Sequence, residues 1–209
     1  MRYLFLILFT VSLNAQILPS QQATHYKKNI IITTDTWDSS EKADCITLSN
    51  SNLTATEVNC PKLSPPTNSW FSVYGSTGVS SGTKEWELTI GAWDNLSGNS
   101  FDVMVGVTNS RTNENTYFPL SGKGYGYILE NGWKHKGSGS YPTGYGPYGS
   151  SYGIGDVVKI SLNLSTLKIT FYKNGVSQGE AFTVNNGTYY LAASYVNNTN
   201  ASITITGGT

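Results

Sequence analysis

Two consecutive stretches of strict alternation between apolar and polar residues limit most strongly how this chain can fold. The first covers residues 158–164 (VKISLNL) and the second covers residues 167–172 (LKITFY). A period of two residues places one side of each strand in the core and the other side in water. Asn174-Gly175 follows, and this pair readily adopts the positive φ angles of a tight hairpin turn. The sequence therefore predicts antiparallel, half-buried strands in this region.

Runs of similar character recur along almost the whole chain. Trp86, Leu88 and Ile90 alternate with polar or charged neighbours, as in a strand with one buried side. Gly, Asn and Pro separate the runs, and no long segment has the period of a helix. The pattern predicts an all-β protein folded as an antiparallel β-sandwich. The predicted strands cover residues 30–34, 45–49, 53–58, 70–74, 84–92, 101–108, 125–130, 132–136, 157–164, 167–173, 176–182, 189–196 and 202–206.

The first residues have the pattern of a secretory signal peptide. Arg2 precedes a largely apolar run over residues 3–11, and Ala15 offers a small residue for cleavage. The run is shorter than a membrane-spanning helix, and no later segment approaches that length, so no membrane span is expected. We expect residues 1–15 to be the signal peptide, residues 16–29 a flexible lead-in, and residues 30–207 one secreted domain.

The charge of the chain is balanced and low. It contains 13 basic and 13 acidic residues, and charged residues make up 12% of the sequence. Removal of Arg2 with the signal peptide would leave 12 basic residues against 13 acidic ones. Because no basic stripe is present, nucleic acid is not an expected partner. A polar, weakly charged composition suits an extracellular β domain, which we expect to be a monomer.

Two features concern modification in a secretory pathway. Cys45 and Cys60 are the two cysteines, and an oxidising compartment favours a disulfide over a pair of buried thiols. A disulfide that closes a loop of about 15 residues contributes ~3 kcal/mol to stability if its geometry is relaxed.

Six asparagines precede x-Ser/Thr; they are glycan acceptors in a eukaryotic secretory pathway but carry no such meaning in a bacterial protein. They are Asn52, Asn95, Asn163, Asn186, Asn197 and Asn200.

Four segments, in order and spacing, resemble the SPRY domain family. They are SGTKEWEL (81–88), VGV (105–107), GYGY (124–127) and YGIGDVV (152–158), the last followed by FYKNG (171–175) and AF (181–182). Glu85 stands where the family usually has an aromatic residue. The resemblance extends over residues 30–205 and is weaker over residues 33–58, where the cysteine pair is not a usual family feature.

The resemblance implies a concanavalin A-like, jelly-roll-like sandwich that binds a protein or peptide and has neither cofactor nor catalytic site. Ligands of this family bind a patch of loops at one edge of the sandwich. Tyr117 falls at the family's ligand-contacting aromatic, and Tyr195 and Val196 fall at its closing contacts. Arg111 is expected to add a bidentate contact to a carboxylate or to peptide carbonyls. The alternative is that Tyr117 packs on its own neighbours and Arg111 is solvated.

A tyrosine-rich loop at residues 137–155 is a second candidate site. It combines tyrosines with Gly, Ser and Pro, a chemistry that antibody loops use for adaptable recognition. Tyrosine faces also stack on sugars, so a glycan is a further candidate ligand. The candidate contacts are Tyr141, Tyr145 and Tyr148; the alternative is that these side chains cover the sheet. Just before the loop, we expect Trp133 and His135 to alternate sides of a strand.

The sequence offers little support for catalysis. It has two histidines, no G-x-S-x-G elbow, no phosphate-binding glycine loop and no suitably spaced metal-ligand cluster. An enzymatic alternative is a glycoside hydrolase, because Glu85 and Glu87 lie on one side of a strand, roughly 6–7 Å apart. A lectin-like alternative depends on Asp94 and Asn95 beside Trp93.

Overall fold

The computed structural model of the protein describes residues 35–61, 69–94, 102–111, 115–120, 123–137, 145–197 and 199–209. Within these ranges, fourteen strands form two sheets. The strands are β1 (Trp37–Lys42), β2 (Ile46–Ser49), β3 (Thr54–Glu57), β4 (Trp70–Gly75), β5 (Thr83–Ala92), β6 (Val103–Thr108), β7 (Gly124–Ile128), β8 (Trp133–Lys136), β9 (Tyr145–Pro147), β10 (Val157–Asn163), β11 (Lys168–Lys173), β12 (Val176–Thr183), β13 (Tyr190–Val196) and β14 (Ser202–Gly208). The predicted signal peptide, lead-in and first strand lie outside the described residues and stay predictions.

The two sheets have seven strands each, and neighbouring strands are antiparallel. Sheet A has the order β1-β4-β13-β6-β7-β8-β9, and sheet B has the order β12-β11-β10-β5-β14-β3-β2. The predicted all-β, antiparallel sandwich is therefore confirmed. No helix in the described part of the chain has both the length and the apolar character needed to cross a membrane.

Side chains that alternate along the strands fill the space between the sheets. Val158, Ile160 and Leu162 on β10 are fully buried, and so are Trp86 and Leu88 on the neighbouring β5. Each such side chain contributes about 1.5–3 kcal/mol by leaving water. The Trp86 indole also needs a hydrogen-bond acceptor, and its Nε1 donates to the buried Asp35 carboxylate at 2.9 Å. The predicted inward positions of these strands are confirmed.

The turns follow the predicted chemistry closely. Asn174 and Gly175 have φ values of 48° and 80°, which confirms the tight hairpin turn between β11 and β12. Leu167 also has a positive φ of 59°, so the preceding turn extends to this residue and β11 begins at Lys168, one residue later than predicted. A branched aliphatic side chain is uncommon in that conformation, and the alternation alone gives no sign of it.

Two strands of sheet A are absent from the sequence prediction. β1 has the sequence WDSSEK, in which Trp37 is the one fully buried side chain, and β9 has three residues that include Gly146 and Pro147. Both strands lie at edges of sheet A. An edge strand tolerates Pro and polar residues because one side of its backbone needs no partner in the sheet.

A disulfide joins Cys45 and Cys60, with the two Cα atoms 5.1 Å apart. It closes the β2–β3 hairpin, as the sequence predicts. The buried Glu57 carboxylate lies beside it: Oε1 accepts a hydrogen bond from the Cys60 backbone at 2.7 Å, and Oε2 accepts one from the Asn200 backbone at 2.9 Å. Glu57 therefore ties the disulfide-closed hairpin to the chain just before β14.

Candidate functional site

The outer face of sheet A, which points away from sheet B, is partly covered by residues 115–120, a segment we call the strap. Phe118 of the strap is 4% exposed and packs in a second hydrophobic cluster with Tyr74, Met104, Ile128 and Ala192. This cluster is separate from the core between the sheets. Sheet A is therefore buried on both faces where the strap crosses it.

Two glycines of the GYGY segment make room for the strap. A Cβ atom at Gly124 would lie 2.7 Å from the Phe118 ring, and one at Gly126 would lie 2.2 Å from Met104 Sδ. Real Cβ atoms do not approach other atoms this closely, so a side chain at either position would push the strap or its support away. The Gly-Tyr alternation thus has a physical meaning: tyrosines fill the inter-sheet core and glycines seat Phe118.

Two buried serines on neighbouring strands hold the backbone of the strap. Ser72 on β4 donates its hydroxyl hydrogen to the Thr116 carbonyl at 2.5 Å. Ser194 on β13 accepts a hydrogen bond from the Phe118 amide at 3.0 Å. The two hydroxyl oxygens are 2.7 Å apart, and both serines are fully buried. The residue between these two anchor points is Tyr117.

Tyr117 belongs to a row of aromatic side chains that we call the aromatic surface: Trp70, Tyr117, Trp133, His135 and Tyr145. The Tyr117 ring centroid lies 5.8 Å from Trp70 and 5.3 Å from His135, the latter in an edge-on arrangement. Tyr145 stacks on His135 at 5.7 Å and on Trp133 at 6.0 Å. All five side chains are partly buried, so each keeps some exposure to solvent. Such amphipathic rings supply large contact area at low entropic cost.

Two groups of the aromatic surface, Tyr117 and His135, have pKa values shifted toward their uncharged forms. Burial raises the pKa of the Tyr117 phenol above its ordinary value. Burial lowers the pKa of His135, and its buried Nδ1 has no hydrogen-bond partner among the described residues. Because both shifts favour the uncharged form, the surface presents ring faces and polar ring atoms rather than charge.

Arg111 is held away from this surface by interactions within the protein. Its guanidinium lies 2.8 Å from Asp38 and 3.9 Å from Glu41, and it stacks 4.3 Å above the Tyr190 ring. Burial alone would raise the pKa of Asp38, but hydrogen bonds from Ser40 and Arg111 outweigh it and lower that pKa. Tyr190 begins β13, whereas Trp70 pairs with the last residue of β13. The structure thus does not bring Arg111 together with Tyr117 and its neighbours.

Tyr195 and Val196 are not available to a ligand in this structure, contrary to the expectation from the resemblance. Tyr195 is 0% exposed, and its hydroxyl donates to the Ala55 carbonyl at 3.2 Å across the inter-sheet core. Val196 is 1% exposed. Alternation along β13 points Tyr195 inward, and the strand is covered on its other side too. We therefore remove both residues from the candidate site.

The described tyrosines of the tyrosine-rich loop differ in role: one lies on the candidate binding surface, and the other covers the core. Tyr145 joins the aromatic surface, whereas Tyr148 covers the core: its hydroxyl donates to the Gly179 carbonyl at 2.5 Å and its ring packs edge-on against Phe171. Burial raises the pKa of Tyr148 to about 12. Tyr141 lies outside the described residues. The expectation that Trp133 and His135 alternate sides is wrong, because both contact Tyr145 and residues two apart share one side of a strand.

The carboxylates considered for glycoside chemistry lie on the outer face of sheet B. Glu85 pairs with Lys159 at 3.1 Å, and Glu87 is exposed. For the lectin-like alternative, Asp94 accepts a hydrogen bond from Asn200 at 3.0 Å, and Asn95 lies outside the described residues. No group of three or more His, Cys, Asp or Glu side chains in the described ranges is arranged to hold a metal ion.

The asparagines predicted as glycan acceptors differ in their accessibility. Asn197 is 5% exposed, and its Oδ1 accepts a hydrogen bond from the Ser69 backbone at 2.9 Å, so the folded protein has no room for a glycan there. Asn186 and Asn200 are exposed, and Asn52 and Asn163 are partly buried. Glycosylation of these four stays a prediction, and Asn95 is not among the described residues.

Sequence reasoning missed most of the side chains that surround Tyr117. In the sequence, Trp70 has the pattern of a strand residue, and neither Ser72 nor Ser194 stands out as a site residue. One signal was available: WFSVYG and YLAASYV are apolar at both odd and even positions, apart from the serines. Such runs indicate strands buried on both faces, and a serine within them calls for a hydrogen-bond partner.

Comparison with known proteins agrees with this architecture. A family model for the SPRY domain matches residues 83–209, more than half of the chain. The SPRY domain of human HERC1 superimposes with a TM-score of 0.63 at 22% identity, covering 82% of this chain and 97% of that one. The TRIM65 PSpry domain superimposes with a TM-score of 0.57 at 14% identity, covering 82% and 91%. A further human SPRY domain has a TM-score of 0.57 at 16% identity, covering 77% and 94%.

A comparison with curated protein sequences finds no match. The structural neighbours are too distant in sequence to show more than the fold, whereas the family model matches the sequence itself. This chain belongs to the SPRY domain family, whose members are generally protein–protein interaction modules.

Proposed function

We propose that this protein is a secreted recognition module that binds a protein or peptide partner across the aromatic surface. The observation that carries the proposal is the position of Tyr117, which the strap presents between Trp70 and His135 on the outer face of sheet A. Tyr117 is also the residue that the family resemblance assigns to ligand contact. Tyr117 thus combines an accessible position between two aromatic rings with the family's ligand-contacting position.

The chemistry of the surface favours an uncharged stretch of polypeptide. Tyr and Trp side chains dominate the energy of protein interfaces because they bury much area and keep a polar group at the rim. With His135 neutral and Arg111 engaged by Asp38, no described residue of the aromatic surface provides a full charge near pH 7. Binding is therefore expected to change little with salt concentration.

Secretion is supported by two observations. The apolar run at residues 3–11 has the pattern of a signal peptide, and the Cys45–Cys60 disulfide is of a kind that persists in oxidising compartments. Expression of the full chain in a secreting host tests this proposal. Recovery of protein from the medium with Gln16 as its first residue supports it, and retention of the uncleaved chain in the cell contradicts it.

Peptide display is the direct test of binding. A random peptide library is selected on the wild-type domain, and the affinity of each enriched peptide is measured for Tyr117→Ala and Trp70→Ala. Truncation of a central aromatic anchor is expected to weaken binding about tenfold or more, which is ~1.4 kcal/mol. Tyr172→Ala is the matched control, because Tyr172 is a partly buried tyrosine on the outer face of sheet B.

Two outcomes would contradict the proposal. Peptides that bind Tyr117→Ala and Trp70→Ala as tightly as the wild type would place recognition elsewhere on the domain. Binding to a glycan array in place of any peptide would favour the lectin-like function, and hydrolysis of a β-glucan that is lost in Glu87→Gln would favour the glycoside hydrolase.

A further inference from the structure

We infer that Ser72 and Ser194 are positioning residues for recognition: their paired hydroxyl groups hold the strap so that Tyr117 is presented in its binding orientation. The inference rests on the proposed function. It concerns two side chains that do not reach the ligand themselves, because both are fully buried beneath the strap.

The direction of each hydrogen bond in this group follows from the number of hydrogens available. Ser72 has one hydroxyl hydrogen, which it gives to the Thr116 carbonyl. The bond between the two hydroxyls must therefore be donated by Ser194. Ser194 in turn accepts the Phe118 amide. The result is a single chain from the Phe118 N–H through Ser194 and Ser72 to the Thr116 carbonyl, and each hydroxyl both donates and accepts.

This series of hydrogen bonds anchors the strap at the two residues on either side of Tyr117. Thr116 and Phe118 direct a carbonyl and an amide to the serines, so the backbone on both sides of Tyr117 is held against sheet A. Phe118 adds an apolar anchor in the cluster with Met104. Tyr117 is left partly exposed beside Trp70 and His135.

The sheet supplies a rigid base for this arrangement. Ser72 and Ser194 are paired directly across β4 and β13, neighbouring strands in the interior of sheet A. Side chains opposite each other in antiparallel strands lie about 4.5–5.5 Å apart at Cβ, which brings two serine hydroxyls within hydrogen-bonding distance of each other. Hydroxyl groups here are otherwise hard to explain, since most outer-face neighbours are apolar and buried polar groups need partners.

Loss of either hydroxyl is expected to release the strap without disturbing the inter-sheet core. Ser72→Ala leaves the Thr116 carbonyl without its donor, and Ser194→Ala leaves the Phe118 amide without its acceptor. An ordered recognition loop that becomes mobile must be ordered again on binding, and this cost appears as lost affinity. Because both hydroxyls belong to one series of hydrogen bonds, the double variant is expected to lose little more peptide affinity than either single variant.

The test uses the peptide selected on the wild-type domain together with a readout of Tyr117 itself. Ser72→Ala and Ser194→Ala are each expected to weaken peptide binding about tenfold. Tyrosine labelled with ¹³C at Cζ reports its own titration by NMR, with Tyr117→Phe to assign the signal. The phenol of Tyr117 is expected to titrate closer to its ordinary value of about 10 in both variants, because the released ring is more solvated. A general loss of stability would not produce this shift.

Ser161→Ala is the matched control, since Ser161 is a partly buried serine on the outer face of sheet B. It is expected to keep wild-type affinity and the wild-type Tyr117 signal. If an alanine variant fails to fold, Ser72→Cys and Ser194→Cys replace it, because cysteine is of similar size but is a weak hydrogen-bonding group.

The inference and the proposed function fail in different ways. Wild-type affinity and an unchanged Tyr117 titration in the serine variants, with binding lost in Tyr117→Ala, would overturn the role of the serines alone. Binding retained in Tyr117→Ala would overturn the proposed function, and the NMR titration would still decide whether the serines position Tyr117.

Discussion

The outer faces of the two sheets differ in the side chains that they present, although in both sheets successive side chains of a strand point to opposite faces. On sheet A, the outer face has large apolar residues under the strap and the row of aromatic side chains around Tyr117. On sheet B, it has hydroxyl and charged groups, with Thr54 bonded to Thr204 at 2.9 Å and Lys159 paired with Glu85 at 3.1 Å. Among the described residues, the outer face of sheet A is the one rich in Tyr and Trp, the residue types that are enriched at protein interfaces.

The difference is visible in the burial of individual strands. β6 is buried at every position, and β13 at every position after Tyr190, whereas β10 alternates between buried and partly buried residues. The interior strands β6 and β13 of sheet A are thus buried on both sides, and the strap covers part of their outer side.

The largest expected effect is on stability, from loss of the apolar anchor of the strap. Phe118→Ala removes a nearly fully buried ring and is expected to lower the free energy of unfolding by about 3–5 kcal/mol. Tyr172→Ala, on the outer face of sheet B, is expected to cost about 1 kcal/mol or less. Urea denaturation of both variants measures the difference, and equal losses would show that the two faces are equivalent.

The partly buried Glu130, just after β7, is expected to make the stability of the protein depend on pH. Burial, together with the smaller effect of the nearby Asp102 carboxylate, raises the pKa of Glu130 to about 8. Since the folded pKa exceeds the unfolded value of 4.5, the contribution of Glu130 to stability is fully present below pH 4.5 and is lost as pH rises to about 8.

Between pH 4.5 and about 8, the contribution of Glu130 to the free energy of unfolding falls by at most about 1.4 kcal/mol per pH unit. Urea denaturation at several pH values, for the wild type and Glu130→Gln, isolates the contribution as a difference. Parallel stability curves for the two proteins between pH 5 and 8 would show that Glu130 is ionised in the folded state.

A smaller effect is expected from Arg111, which links the segment after β6 to β1. Arg111→Met removes the ion pair with Asp38 and the stacking on Tyr190, which together contribute about 1 kcal/mol at a partly exposed site. Because Arg111 packs away from the aromatic surface, affinity for the selected peptide is expected to stay at the wild-type level. Calorimetry measures both the stability of the variant and its affinity for the peptide. A tenfold loss of affinity would show that Arg111 is part of the binding site.

The smallest effect is expected on the outer face of sheet B. Glu85→Gln removes a partly exposed ion pair with Lys159, and such pairs contribute about 0–1 kcal/mol. We expect a change in the midpoint of thermal unfolding close to experimental error, with unchanged peptide affinity. A large destabilisation would mean that this face, too, has a structural role beyond contact with water.

Much of the fold could be predicted because alternation is local information. The inward positions of Trp86, Phe171 and Phe182, the Asn174-Gly175 turn and most strands follow from neighbouring residues alone. The edge strands β1 and β9 could not be predicted, because an edge needs neither a continuous apolar pattern nor a full set of hydrogen bonds within the sheet.

The candidate site was predicted less completely. Tyr117 was named from the family resemblance, whereas Trp70, His135 and the two serines were not. Tyr195 shows the difference: the apolar run of β13 indicates burial on both sides, whereas the family resemblance alone points to a ligand contact at this residue. Arg111 lies in the segment that matches the family's ligand patch, and its guanidinium suits a bidentate contact, but in the fold it pairs with Asp38 from a distant part of the chain.

The amino-acid sequence by itself determined the class of fold, the family and the hairpin turns, since these depend on side-chain period, local backbone preference and short motifs. The tertiary structure decided which tyrosines are buried and which are presented, because burial depends on contacts between segments far apart in the chain. Ser72, Thr116 and Ser194 illustrate this: they meet across 44 and 122 residues of sequence. Only the folded sheet brings their hydrogen-bonding groups together.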